Sequence, residues 1–387
     1  MHTIVTVIGA RPQIIKAAAV SRSVRNHYQE DIREVIVHTG QHYDNNMSQV
    51  FIDELEIPRP AYNLGVGSAT HGIQTARMIE GIESILEKEK PGMIILYGDT
   101  NSTLAGAVAA SKIHVPVAHI EAGLRSFNKS MPEEINRIVC DHCSTLLFSP
   151  TLSGYNNLVR EGFNPMALPP YHSDNPKIYH CGDVMFDNSL HFAGVAEKTT
   201  SIIQHLQLQP GKFILSTIHR NGNTDVPERL ESIFRALLGL SEQSGLPVIL
   251  PIHPRTAKML ELQLTSETLD RIKLQNSLRI IPPASFLEML ILEKNAALIL
   301  TDSGGVQKEA YFFRKPAVIL RAETEWTEII EAGAGRLCDA SEEQIVSSGM
   351  RFLNHPPEHF PEVFGDGRAA DYILSEILAF LNTKGAI

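Results

Sequence analysis

TIVTVIGARPQIIKAAAV, residues 3–20, is a β-branched apolar run, a sharp turn and a helix-patterned run in immediate succession. A strand feeding directly into a helix is half of a parallel crossover unit, and Pro12 suits the opening turn of that helix, where a missing N–H costs nothing. Moving outward, apolar runs of the same kind recur at REVIVHTG (33–40), MIILYGD (93–99), PVAHIEAG (116–123) and TLLFSPT (145–151), each followed by a polar or helix-patterned stretch. This alternation predicts a parallel sheet with helical crossovers. After NPMALPPYHSDNPK (164–177), rich in Pro, Asn and His, it resumes with KIYHCGD, KFILSTIH, PVILPIH, LRIIPP, ALILTDSGG and PAVIL. We read these as a second parallel sheet. The expected architecture is α/β, with two Rossmann-like, doubly wound parallel-sheet domains over residues 1–172 and 173–365. A C-terminal helix over 366–387, with Ile373, Leu374, Ile377, Leu378 and Leu381 at helical spacing, is expected to return to the first domain. Ligands of open parallel sheets bind outside the carboxyl ends of the strands, so the expected site is a cleft that the two sheets face.

The composition agrees with this and removes several function classes. The 387 residues exceed what one hydrophobic core usually serves, and 43% hydrophobic with 20% charged residues is ordinary for a folded globular chain. A formal net charge of -10 gives no support to a nucleic-acid or anionic-membrane partner, so any phosphate must be held by a few local groups. No apolar stretch approaches the roughly 20 residues that span a bilayer, and MHTIVTVIGARP has no signal-peptide pattern, which points to the cytoplasm. Cys140 and Cys143 form a lone CxxC, whose blander reading is a pair of packed helical thiols.

Two turns are suited to phosphate. Gly9-Ala10-Arg11-Pro12 places exposed N–H groups at a helix start, with Arg11 and Lys16 as nearby cations, although it is not a GxGxxG fingerprint. The run Asp302-Ser303-Gly304-Gly305-Val306-Gln307-Lys308-Glu309 is more specific: its glycines permit close backbone approach and Ser303 offers a hydroxyl at the helix start. Glu309, a turn and a half on, is placed to take both hydroxyls of a ribose; a solvated helix face is the alternative.

Acidic residues gather in the first half. Asp99 follows MIILY, Glu121 follows PVAHI, and Glu133 and Glu134 stand in MPEEINR. Carboxylates at strand ends cost stability unless something pairs or uses them; Arg125 and Arg137 are candidate structural partners, and proton transfer is the catalytic reading. In the second half His219 with Arg220 follows KFILSTI and His253 follows PVILPI, without zinc-ligand spacing.

In this order, GARPQIIK, HTGQH, YGDTNSTLAG, HIEAGLRS, PEEINR, TIHR, IHPR and LTDSGGVQKEA resemble the motifs of the non-hydrolysing UDP-N-acetylglucosamine 2-epimerases. The resemblance implies a fold like the B-type glycosyltransferases, a UDP-sugar substrate, a homodimer, and neither metal nor other cofactor. It implies removal of the proton at carbon 2 with expulsion of UDP to give a 2-acetamidoglucal, then re-addition of UDP with protonation on the other face. The catalytic set so implied is Asp99, Glu121, Glu133, His219 and Lys16; the substrate- and UDP-binding set is Arg11, Arg137, His253, Ser303, Gly304, Gly305, Glu309, Phe286 and Trp326.

The sequence departs from the family pattern in three places. Asn221-Gly222-Asn223 stands where an acidic residue and Asn usually follow the His-Arg pair. Gln41-His42 is followed by Tyr43-Asp44, and GVGSATHG lacks the arginine tied to activation by a second substrate molecule. The TERPE segment reads Thr324-Glu325-Trp326-Thr327-Glu328, which resembles the branch acting on UDP-2,3-diacetamido-2,3-dideoxyglucuronate. Arg321 and Arg125 are the candidate partners for a carboxylate at carbon 6. The alternatives from other classes are a B-type glycosyltransferase, a hydrolysing epimerase and a non-catalytic UDP-sugar sensor; the sensor and the transferase leave the gathered carboxylates without a purpose.

Overall fold

The structure, a computed structural model, describes residues 1–40, 57–252, 254–275 and 277–384. The chain divides into two compact units, Met1–Asn188 with Glu362–Ile387, and Ser189–Pro361. Among the described residues the first unit holds a seven-stranded sheet of β1 (His2–Ile8), β2 (Ile32–His38), β3 (Tyr62–Asn63), β4 (Met93–Tyr97), β5 (Val117–Ile120), β6 (Leu146–Ser149) and β7 (Lys177–His180). Its order is β3-β2-β1-β4-β5-β6-β7, with every neighbouring pair parallel. The second unit holds a six-stranded parallel sheet of β8 (Ile214–Thr217), β9 (Val248–Pro251), β10 (Leu278–Ile281), β11 (Leu298–Thr301), β12 (Ala317–Ile319) and β13 (Gly335–Leu337), ordered β10-β9-β8-β11-β12-β13.

Both sheets are α/β and Rossmann-like, and one reading of the sequence is corrected. KIYH, taken as the first strand of the second sheet, pairs with β6 from Leu146↔Lys177 to Ser149↔His180 and closes the edge of the first. The edge strands β3 and β13 are too short to leave an alternation signal in the sequence.

The chain folds this way because the strands are apolar on both faces. In the second unit Leu298 and Leu300 pack with Leu230, Phe234 and Leu237 on one side of β11, while Ile299 packs with Phe213, Ile291 and Ala310 on the other. A strand's side chains alternate between faces, so a continuous apolar run requires helices on both. In the first unit β4, fully buried along its length, packs through Ile94 and Leu96 against Met78 and Ile82 of the helix His71–Glu89.

The helix Ala369–Lys384 belongs to the first unit. Asp187 accepts the N–H groups of Ala369 and Ala370 at 3.1 and 2.9 Å, and Asp371 pairs with His27 Nδ1 at 2.8 Å. Among the described residues no helix is long and apolar enough to cross a membrane.

Each strand order reverses once, between β1 and β4 in the first sheet and between β8 and β11 in the second. The crevice outside the carboxyl ends of such a strand pair is where open α/β sheets bind ligands. The turns following these four strands carry GARP, GDT, IHR and DSGG.

Candidate active site

In the first unit the turn after β1 is built by close approach. A Cβ on Gly9 would collide with the hydroxyls of Thr39 and Ser102, which hydrogen-bond to each other at 2.8 Å. The helix Arg11–Ser23 starts at once, and Gln13 ties it to the end of β4 by donating to Tyr97 O and Thr103 Oγ1, each at 3.0 Å. Arg11 is exposed at this helix start. Lys16 is turned inward and forms an ion pair with Glu121.

Glu121 follows β5 with a φ of +75°, a left-handed conformation that costs a residue with a side chain on the order of 1–3 kcal/mol. Hydrogen bonds from Glu121 N and Ala122 N to Phe148 O, each 3.0 Å, hold it there. Gly98 lies opposite with a φ of +59°, and a Cβ on it would stand 3.1 Å from both Glu121 Oε2 and Lys16 Nζ. The next residue, Asp99, receives Arg137 Nε and Nη2 on one carboxylate oxygen at 3.0 and 2.6 Å, while Asn136 Nδ2 holds its carbonyl at 2.8 Å. The Asn-Arg of PEEINR thus grips the backbone and the side chain of Asp99 together.

The two glutamates of that motif part company. Neighbouring residues of a helix point about 100° apart, so only one can face inward. Glu134 is buried and accepts Ser126 N at 2.9 Å, Phe127 N at 2.9 Å and Arg137 Nη1 at 2.8 Å. Burial would raise its pKa, but these bonds outweigh that and hold it below the ordinary carboxylate value. Glu133 is exposed in the first turn of the helix Pro132–Cys143.

Beneath these turns lies a buried charged network. His119 meets Asp141 Oδ1 through Nδ1 at 2.7 Å and Gly98 O through Nε2 at 2.8 Å; Asp141 also accepts Gly123 N at 3.1 Å and pairs with Arg125 at 2.7 Å. Burial alone would lower the imidazole's pKa; the neighbouring Cys140 and Asp141 reverse this and raise it well above the usual value. Arg125, a candidate partner of the strand-end carboxylates, instead serves Asp141 and Glu161.

In the second unit the helix Gly304–Phe312 begins directly after β11, capped by Ser303, whose hydroxyl accepts Val306 N at 3.4 Å. Asp302 is fully buried between the ends of β11 and β8, and its carboxylate accepts His219 N at 3.1 Å, Arg220 N at 3.0 Å and Asn223 Nδ2 at 3.1 Å. His219 Nδ1 stands 3.2 Å from Asp302 Oδ1. Glu309 is half-buried, and burial together with the Glu309 charge pushes the enclosed Glu293 carboxyl well above its ordinary pKa. Phe286 opens the helix Phe286–Asn295 and packs edge-on to Phe192, ring centres 5.7 Å apart.

These groups suit two kinds of chemistry: carboxylates paired with cations for moving protons, and a glycine-rich helix start for holding an anion. His253 and the segment Gln41 to Asp44 lie outside the described residues. Among the described residues no group of three or more His, Cys, Asp or Glu side chains could hold a metal ion.

The family model described as UDP-N-acetylglucosamine 2-epimerase matches residues 25–378. The chain belongs to that family. It is 48% identical over 378 residues to a UDP-2,3-diacetamido-2,3-dideoxy-D-glucuronate 2-epimerase of Pseudomonas aeruginosa, covering 98% of this chain and 99% of that one. It is 47% identical over 368 residues to a UDP-N-acetylglucosamine 2-epimerase homolog of Methanococcus maripaludis, covering 95% and 97%. A crystal structure of the Methanocaldococcus jannaschii UDP-GlcNAc 2-epimerase in complex with UDP-GlcNAc and UDP matches with a TM-score of 0.80 at 39% identity, over 97% of this chain and 99% of that one.

Within this family member the TEW segment is locally locked. Trp326 is buried, its N–H backbone donor reaches Thr324 Oγ1 at 3.1 Å, and Lys308 Nζ sits 4.2 Å from the ring centre. The indole Nε1 lies 3.5 Å from where a Cβ on Gly304 would stand. Arg321, considered for a substrate carboxylate, is bidentate on Glu325 at 2.8 and 3.0 Å. With Arg125 committed to Asp141 and Glu161, both arginines considered for that role already hold side-chain carboxylates. Asn136 and Asp141 carry no signal of their own in the sequence, and Asp302 shows there only as the first residue of the DSGG run.

Proposed function

We propose that this chain is a non-hydrolysing epimerase that interconverts UDP-N-acetylglucosamine and UDP-N-acetylmannosamine by losing and regaining UDP. The observation that carries the reading is the pairing of Glu121 with Lys16 and of Asp99 with Arg137 at the carboxyl ends of adjacent strands. A carboxylate takes the proton from carbon 2, the C1–O bond breaks with its electrons leaving on the UDP oxygen, and a C1=C2 double bond forms. Return of UDP to carbon 1 and of a proton to the other face of carbon 2 completes the exchange. Asp99, Glu121 and Glu133 move the protons, and Lys16, Arg11 and His219 meet the charge growing on the diphosphate. Ser303, Gly304, Gly305 and Glu309 hold UDP. The epimerase is a cytoplasmic homodimer in this reading and uses neither metal nor nicotinamide.

Proton NMR of the purified protein with UDP-N-acetylglucosamine as the sole substrate tests the reading. UDP-N-acetylmannosamine should appear without an acceptor; release of free N-acetylmannosamine and UDP would indicate a hydrolysing enzyme, and an inert sugar nucleotide a transferase or sensor. One observation favours a second substrate, the 2,3-diacetamido uronate: Trp326 stands where the TERPE pattern has arginine. An indole cannot give the forked donors of a guanidinium, and its ring lies against Lys308 beside Gly304.

A further inference from the structure

His219 and the anion-binding turn share one buried anchor. Asp302, 0% exposed, immediately precedes Ser303-Gly304-Gly305, and the same carboxylate receives the N–H groups of His219 and Arg220. The His219 side chain is 55% exposed, yet its Nδ1 edge stands 3.2 Å from Asp302 Oδ1. Asn223, part of the unusual Asn-Gly-Asn run, locks the carboxylate from the other side. Its Nδ2 donates to Asp302 at 3.1 Å and to Leu320 O at 2.9 Å, and its Oδ1 accepts Arg229 Nη2 at 2.9 Å. A carboxylate only accepts, and at this ion-pair distance it attracts a ring that carries its proton on Nδ1.

We propose that Asp302 is a positioning residue that acts through His219, fixing the imidazole as the Nδ1–H tautomer with Nε2 turned away from the carboxylate. Once protonated, the ring presents Nε2–H to the diphosphate oxygen that gains charge as the C1–O bond breaks, and Asp302 balances the imidazolium without taking a proton itself. Because the carboxylate and the diphosphate turn are consecutive in the chain, the histidine is registered to the anion it serves. This rests on the epimerase reading, with His219 beside the leaving diphosphate.

The test combines a double-mutant cycle with a direct reading of the tautomer. Epimerisation rates and UDP affinity are measured for wild type, Asp302→Asn, His219→Asn and the double variant. Asp302→Asn should lower kcat on the order of 10²-fold or more while UDP affinity stays within about threefold, and the double variant should be no slower than His219→Asn alone. Losses that multiply, or a UDP affinity that falls as far as kcat, would mean that Asp302 merely supports the loop. Nitrogen-15 NMR of histidine-labelled protein, with the His219 signals identified by their absence in His219→Asn, should show the Nδ1–H tautomer in wild type. An Nε2–H ring there overturns the proposal even if Asp302→Asn does not fold. If wild type epimerises no UDP-sugar, the epimerase reading fails while the tautomer still decides the pairing.

Discussion

At the switch point of the first sheet the candidate groups are side chains already paired with opposite charges, Lys16 with Glu121 and Arg137 with Asp99. At the switch point of the second sheet they are backbone N–H groups at a capped, glycine-rich helix start beside one exposed histidine. Both units use a doubly wound parallel sheet, and both rest their turns on a buried aspartate, Asp141 in one and Asp302 in the other. The difference shows that topology fixes only where a site lies. Residues in the turns set what each place offers, paired carboxylates in one and an open, glycine-rich helix start in the other.

Removing the buried foundation of the first site should have the largest effect. Asp141→Ala leaves His119 without its carboxylate and Arg125 with Glu161 alone, and should cost about 3–5 kcal/mol of stability at neutral pH, read by denaturant unfolding. Burial raises the Asp141 pKa, but His119 and Arg125 outweigh it and the net shift is downward. A carboxylate with a lowered folded pKa lends stability above its unfolded value of about 3.9, so the gap between variant and wild type should narrow as pH falls below that. A gap independent of pH would show that Asp141 is not held as a carboxylate.

Asp99→Asn, Glu121→Gln and Glu133→Gln should each lose on the order of 10²-fold or more in kcat with the fold retained. Near wild-type rates in all three would reduce the first switch point to a structural cluster and erase the contrast with the second. Glu309→Gln should act on binding instead, weakening UDP about tenfold in calorimetry and removing the preference for UDP over its 2′-deoxy analogue. An unchanged preference would place the ribose elsewhere.

Smaller effects concern specificity and regulation. Trp326→Arg puts a second cation beside Lys308 and should shift the kcat/KM ratio about tenfold towards the plain N-acetyl sugar over the 2,3-diacetamido uronate. If wild type prefers the plain sugar and the ratio does not move, Trp326 does not set specificity. Rate curves should be hyperbolic, with no acceleration by a second sugar nucleotide, given Tyr43-Asp44 after Gln41-His42; a sigmoidal curve would show that activation needs no arginine in GVGSATHG.

The alternation of apolar runs and helices made the α/β class legible, as did the turns that end β1, β4, β8 and β11, because each is local in sequence. Sheet membership was not. Lys177–His180 looks like any buried parallel strand, and only its pairing with Leu146–Ser149 assigns it to the first sheet. Charge partners were equally hidden: Arg125 and Arg321 read as available cations until Asp141, Glu161 and Glu325 were found on them. Glu133 and Glu134 are indistinguishable as letters, and the helix face alone separates the exposed one from the buried one. Asp302 serves His219 across some eighty residues of chain, because β8 and β11 are neighbours in the sheet.

In an epimerase built this way the first site moves a proton at carbon 2 while the second holds UDP. Turnover of UDP-N-acetylglucosamine in heavy water, followed by NMR, tests it most directly. The abstracted proton should exchange with solvent before return, so deuterium should appear at carbon 2 of the UDP-N-acetylmannosamine formed. Product that keeps its original hydrogen in every molecule would mean that no solvent-exchanging group of the first site handles that proton.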